Sequence, residues 1–115
     1  MAKQIHIIQP GRMSKIYSEE FPGCSHDIEI LQVLFGNWSS GSGCESEEFT
    51  ESRTRSMSVG DFVGIDGRFY KCASFGWDLT ARDVMDNFCE AVEKRMRETG
   101  EDSWSALSHF KWLHR

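Results

Sequence analysis

The sequence has no apolar run approaching the roughly 20 residues that span a bilayer. Its opening, MAKQIHIIQPG, lacks the apolar core and cleavage site of a signal peptide. Neither membrane insertion nor export by the ordinary route is expected, and the cytoplasm is the expected compartment. Cys24, Cys44, Cys72 and Cys89 stand apart without a CxxC pair, which excludes a dense disulfide framework. Free thiols are expected, with Cys72 and Cys89 acting as small buried hydrophobes. HExxH and GxSxG are absent, and Gly41, Gly43, Gly60, Gly64 and Gly67 match neither the P-loop nor the dinucleotide fingerprint. A polybasic arm is missing too: residues 1–57 carry five basic against eight acidic groups and residues 58–115 carry eight against ten. A net charge of −5 disfavours sequence-independent binding to phosphate backbones. It is also too modest for a mimic of DNA, which needs dense carboxylates over one face.

What is present is an ordinary globular composition. The apolar fraction is 39%, and eight Phe and four Trp provide the bulk for one compact core. Halves of 115 residues would be too small to bury cores of their own, so a single domain over 1–115 is expected.

Residues 3–9 are β-branched and partly alternating, and Pro10-Gly11 closes them as a short strand. Ser25 or Asp27 caps a helix whose Ile28, Leu31 and Phe35 form an apolar face, with Gly36-Asn37 as its stop. Residues 39–58 hold seven Ser, two Gly and four Glu, and 39–57 read as a mobile surface loop. Asp66-Gly67, between two β-rich runs, predicts a type I′ hairpin pairing 61–65 with 68–74. Alternation there puts Phe62 and Val63 on opposite faces, one covering a helix and the other meeting a strand or a partner. Thr80-Ala81-Arg82-Asp83 resembles a capping box and opens a helix with Ala81, Val84, Met85, Phe88, Ala91, Val92 and Met96 on one stripe. Gly100 ends it, and Asp102 or Ser103 caps a last helix carrying Trp104, Leu107, Phe110 and Leu113. The expected fold is α+β: a small antiparallel sheet built on the 61–65/68–74 hairpin and packed against about three helices.

Candidate chemistry is thin. His6, His26, His109 and His114 lie outside any recurring zinc spacing, so no metal ligand, catalytic residue or cofactor is assigned. Glu45, Glu47, Glu48 and Glu51 form the densest acidic cluster, diluted by Arg53 and Arg55. Trp38, beside the Ser-rich stretch, and Trp112, off the main stripe of the last helix, are candidate exposed anchors in a protein interface. With the four glutamates they make up the expected partner-binding set. An alternative set, Arg53, Arg55, Arg68, Tyr70 and Lys71, would serve a module that binds single-stranded nucleic acid by stacking and charge. A small enzyme or metal protein is the third reading.

The run Arg55-Ser56-Met57-Ser58-Val59-Gly60-Asp61, followed by a hairpin ending Tyr70-Lys71-Cys72-Ala73-Ser74-Phe75-Gly76-Trp77, resembles a block of YodL-like and related uncharacterised proteins. Phe35-Gly36-Asn37 is similar to the helix end that precedes that block. Such proteins are encoded by phages, plasmids and integrative elements. The resemblance implies that genomic setting rather than a reaction; with the small size, mild acidity and missing catalytic motifs, it leads to the expectation of a non-enzymatic accessory protein that binds another protein, with inhibition of a host defence system as one form.

Overall fold

The computed structural model describes residues 2–113, with side chains through 110. In chain order the elements are strands β1 (Lys3–Gln9) and β2 (Met13–Glu19), helices α1 (Asp27–Asn37) and α2 (Glu47–Ser52), strands β3 (Phe62–Ile65), β4 (Arg68–Cys72) and β5 (Trp77–Thr80), and helices α3 (Arg82–Thr99) and α4 (Ser103–Leu113). The strands form one antiparallel sheet in the order β2-β1-β3-β4-β5.

The Asp-Gly hairpin forms in the expected register, with Phe62 opposite Lys71 and Ile65 opposite Arg68. Asp66 and Gly67 have φ of 49° and 86°, the pair of positive angles that a type I′ turn demands. Asp66 also accepts from the Gln4 N–H at 2.8 Å, which ties the turn to β1. Nothing lies within 4 Å of a Cβ built at Gly67, so a substitution there tests backbone strain alone. Gly67→Ala is expected to cost about 1–2 kcal/mol in urea unfolding, the penalty of a left-handed residue with a Cβ. An unchanged midpoint would contradict this.

Alternation along β1 and β3 sends side chains to two cores. On the first face Ile5, Ile7, Val63 and Ile65 meet Ile30, Leu31 and Leu34 of α1. On the second, Ile8, Phe62 and Phe69 meet Met85, Phe88 and Cys89 of α3. Phe62 and Val63 do face opposite ways, but a helix covers each side, and no further strand layer or partner is needed there. Four helices pack around the sheet. α4 lies on α3 through Ala106, Leu107 and Val92, and Leu107 sits where a Cβ at Gly60 (φ 95°) would fall, 2.6 Å from its Cδ1.

Pro10-Gly11 closes β1 after Gln9, as expected, and the turn leads into β2, a strand not expected from the sequence, which returns along β1 with Gln9 opposite Met13. Two helix starts are corrected. Thr80 belongs to β5 and bonds the Asp78 carbonyl, so α3 starts after Ala81 with no side-chain cap. α1 starts after His26, also without a side-chain cap. Gly100 (φ 75°) does close α3, and the Asp102 carboxylate accepts from the Ser105 N–H at 2.8 Å, as a cap should.

The Ser-rich stretch is also more built than a bare loop. Ser46 caps α2 by accepting from the Phe49 N–H, and Phe49 and Met57 are buried in the first core. The Ser46 N–H bonds the Asn37 carbonyl and the Met57 N–H bonds the Trp38 carbonyl at 2.8 Å, pinning the segment to the end of α1. Two large apolar residues among many polar ones were enough to dock it.

Candidate functional site

The block 55–61 folds around a buried charge pair. Asp61 has no exposure, and the Arg55 guanidinium meets its carboxylate with both Nη atoms at 2.7 Å. The Ser58 N–H donates to the same carboxylate at 3.0 Å, and Gln9 Nε2 bonds the Arg55 carbonyl. Burial pushes the Asp61 carboxyl upward, and Arg55, Ser58 and Gln9 pull against that shift. Trp104 lies 5.6 Å from the guanidinium. This cluster joins the block to β1 and α4. Its chemistry is that of a structural clamp, because nearly all its polar atoms bond one another, with Arg55 Nε alone among them buried without a hydrogen-bond partner among the described residues.

The nucleic-acid set does not converge. Arg55 is held by Asp61. Arg68 makes a two-pronged pair with Asp27 at 2.7 and 2.9 Å, and the Tyr70 hydroxyl donates to the same carboxylate. These contacts hold the Asp27 carboxyl below its usual range and raise Arg68 and Tyr70. Lys71 projects to the opposite face, its Nζ 4.0 Å from the Phe88 ring centroid, with its pKa lowered by burial. Arg53 is the C-cap of α2 at a left-handed φ of 49°.

Of the partner-binding set, Trp38 is not an exposed anchor. It has 0% exposure, donates from Nε1 to the Tyr17 hydroxyl at 3.0 Å and stacks edge-on against Phe49. The reason is helical spacing: Ile30, Leu31, Leu34 and Trp38 fall on one stripe, and that stripe faces the sheet. Glu45, Glu47 and Glu51 are exposed and Glu48 is half-buried. The Trp112 side chain lies outside the described residues.

Because the core stripe of α1 runs through 30/31/34/38, the expected face 28/31/35 is turned partly outward. Ile28 is 48% exposed and Phe35 40%. Phe35 packs edge-on against Trp77 of β5, 6.4 Å between centroids. Leu79, two residues along the same face of β5 and opposite Tyr70, is 71% exposed, and Phe75 in the turn before it is 97% exposed. Phe35, Trp77 and Leu79 form an apolar seam along the β5 edge of the sheet, with exposed Phe75 in the adjoining turn and Ile28 two helical turns from Phe35 on α1. Sequence reasoning missed it by assigning Ile28 and Phe35 to the core and by leaving β5 unread.

Between the β1–β2 hairpin and α3 lies a cavity of about 320 Å³ lined by Gln9, Gly11, Arg12, Ser14, Cys89 and Glu93 among others. Burial, with Glu93 and Asp86 nearby, pushes the Cys89 thiol up to about 11, which makes it a poor nucleophile at neutral pH. His6 Nε2 is 2.5 Å from Ser14 Oγ, and burial and Arg82 lower its pKa. Among the described residues no hydrogen-bonded carboxylate orients that ring, so the pair lacks the third member that an activated serine uses. No group of three His, Cys, Asp or Glu among the described residues could hold a metal ion. No described helix is long and apolar enough to cross a membrane.

Fold and site define an α+β protein with a five-stranded antiparallel sheet, helices on both faces and an apolar seam at one edge. Comparison with protein-family models, with curated proteins and with solved structures finds no match.

Proposed function

We propose that this is a non-enzymatic accessory protein that works by binding another protein through the α1–β5 seam. The observation that carries the reading is the seam of Phe35, Trp77 and Leu79 beside an open strand edge, with exposed Phe75 in the adjoining turn. Contiguous exposed apolar surface of that kind marks interaction sites, whereas scattered exposed hydrophobes do not. The resemblance of 55–77 to YodL-like proteins of phages and plasmids supports a bacterial host protein as the partner, met in the cytoplasm, and inhibition of a defence system as the outcome.

The test is affinity capture from a bacterial lysate at physiological salt, with wild type and Leu79→Asp side by side. Leu79 is exposed enough for the charge to leave folding intact, which circular dichroism checks. A stoichiometric partner held by wild type and lost by Leu79→Asp is expected. No partner, or one held equally by both proteins, rules the reading out.

A further inference from the structure

The opposite edge of the sheet has its own pattern. The Asp66 N–H bonds the Gln4 carbonyl and the Gln4 N–H bonds the Asp66 side chain, so Gln4, His6 and Ile8 turn their backbone groups toward β3. Ile5, Ile7 and Gln9 therefore pair with Tyr17, Lys15 and Met13, and the backbone groups of Ser14, Ile16 and Ser18 point out from the sheet. Seven residues of edge strand with an outward N–H and C=O ladder form a template for another strand. Ile16, at its centre, is 59% exposed.

We infer that β2 pairs with β2 of a second copy, antiparallel about a two-fold axis at Ile16, to make a continuous ten-stranded sheet. The strand, Met13-Ser14-Lys15-Ile16-Tyr17-Ser18-Glu19, is self-complementary about that residue. Ile16 falls opposite Ile16 of the second copy, Ser14 opposite Ser18, Lys15 opposite Tyr17 and Met13 opposite Glu19. Ser14, Ile16 and Ser18 side chains share the second face, which α3 leaves open over β2, so the two isoleucines cover each other between hydrogen-bonding serines.

On the first face charge favours the same register. Glu19 lies close enough to Glu48 for their repulsion to raise its pKa beyond the effect of burial. Among the described residues neither carboxylate has a cation within 4 Å, and Lys15 has no carboxylate within that distance. In the dimer each Lys15 stands diagonal to Glu19 of the second copy, about 7–8 Å away, with Glu48 beyond it. The two lysines are diagonal to each other, but two pairs of glutamates outweigh that repulsion. β5, the other edge, offers only four residues and remains free. The dimer thus carries a seam at each end, and two linked sites strengthen binding to a partner that repeats.

Sedimentation of the full chain between about 1 and 100 μM is expected to show a monomer–dimer equilibrium. Ile16→Lys, which places two ammonium groups opposite each other, and Ser18→Pro, which removes an outward N–H, are each expected to leave a folded monomer. Register is read by disulfide formation in a Cys44→Ser background. Ile16→Cys should cross-link, since directly opposed residues of this class sit about 5.5 Å apart at Cα. Ser14→Cys should not, because its copies lie more than about 13 Å apart. A wild-type monomer throughout the range overturns the inference, as does cross-linking at 14 that equals cross-linking at 16. Either result leaves the seam-dependent capture untouched.

Discussion

Asp61→Ala and Arg55→Ala are each expected to destabilise the protein by about 3–5 kcal/mol in urea or thermal unfolding, because each leaves a buried charge without its partner. Asp61 is fully buried while the Arg55 side chain keeps 17% exposure, and Asp61 also accepts from Ser58 and Gln9, so the loss of Asp61 strands more than one polar group. Removing both partners should cost much less than the sum of the singles, with a coupling energy of about 2–3 kcal/mol. The pair is expensive to break rather than strongly stabilising, since desolvation of both ions offsets most of their attraction. A single substitution that costs under about 1 kcal/mol would show that Arg55 and Asp61 do not meet as described. The result matters for function, because it assigns the 55–61 block to folding and removes Arg55 from any surface that could hold nucleic acid.

Trp38→Ala should cost about 3–5 kcal/mol, the range for truncating a large aromatic in a packed core. Trp38 joins α1, α2 and β2: it packs on Phe49 and hydrogen-bonds Tyr17. Tyr17→Phe removes only the acceptor of the indole N–H, and about 1–3 kcal/mol is the expected loss for leaving that donor buried and unpaired. Burial pushes the Tyr17 hydroxyl above its ordinary range, so its neutral form is the folded one. Its raised folded pKa makes its contribution fully present below about 10, the unfolded value, and lost as pH rises above it. Had Trp38 been an exposed anchor, its truncation would weaken partner capture and leave stability unchanged. A Trp38→Ala protein as stable as wild type would therefore return it to the interface.

These two residues show where reading the chain by segment succeeds and where it stops. The turn angles of Asp66-Gly67, the Gly100 stop and the Asp102 cap act through their own backbone or through groups a few residues away, and each does what its neighbours in sequence predict. The long α3 stripe is equally local, although Val84, 56% exposed, lies at its margin. For α1 the local pattern was ambiguous: 28/31/35 and 30/31/34/38 are both helical spacings, and only the position of the sheet selects the second. That choice buries Trp38 and exposes Ile28 and Phe35, and so creates the seam.

Local sequence determined the hairpin, the two long stretches of amphipathic helix near the C-terminal end and the alternation that gives β3 two covered faces, because turn angles, caps and periodicity are settled within a few residues. Tertiary structure alone decided the rest. β2 and β5 are edge strands, and they become strands because β1 and β4 are there to pair with them. The Gln9–Asp61 contact, the Asp27–Arg68–Tyr70 cluster and the pairing of β3 with β1 all join segments that the chain brings together only once its apolar faces are buried. No spacing within one segment encodes such a meeting, so the seam and the open edge of β2 are properties of the folded sheet.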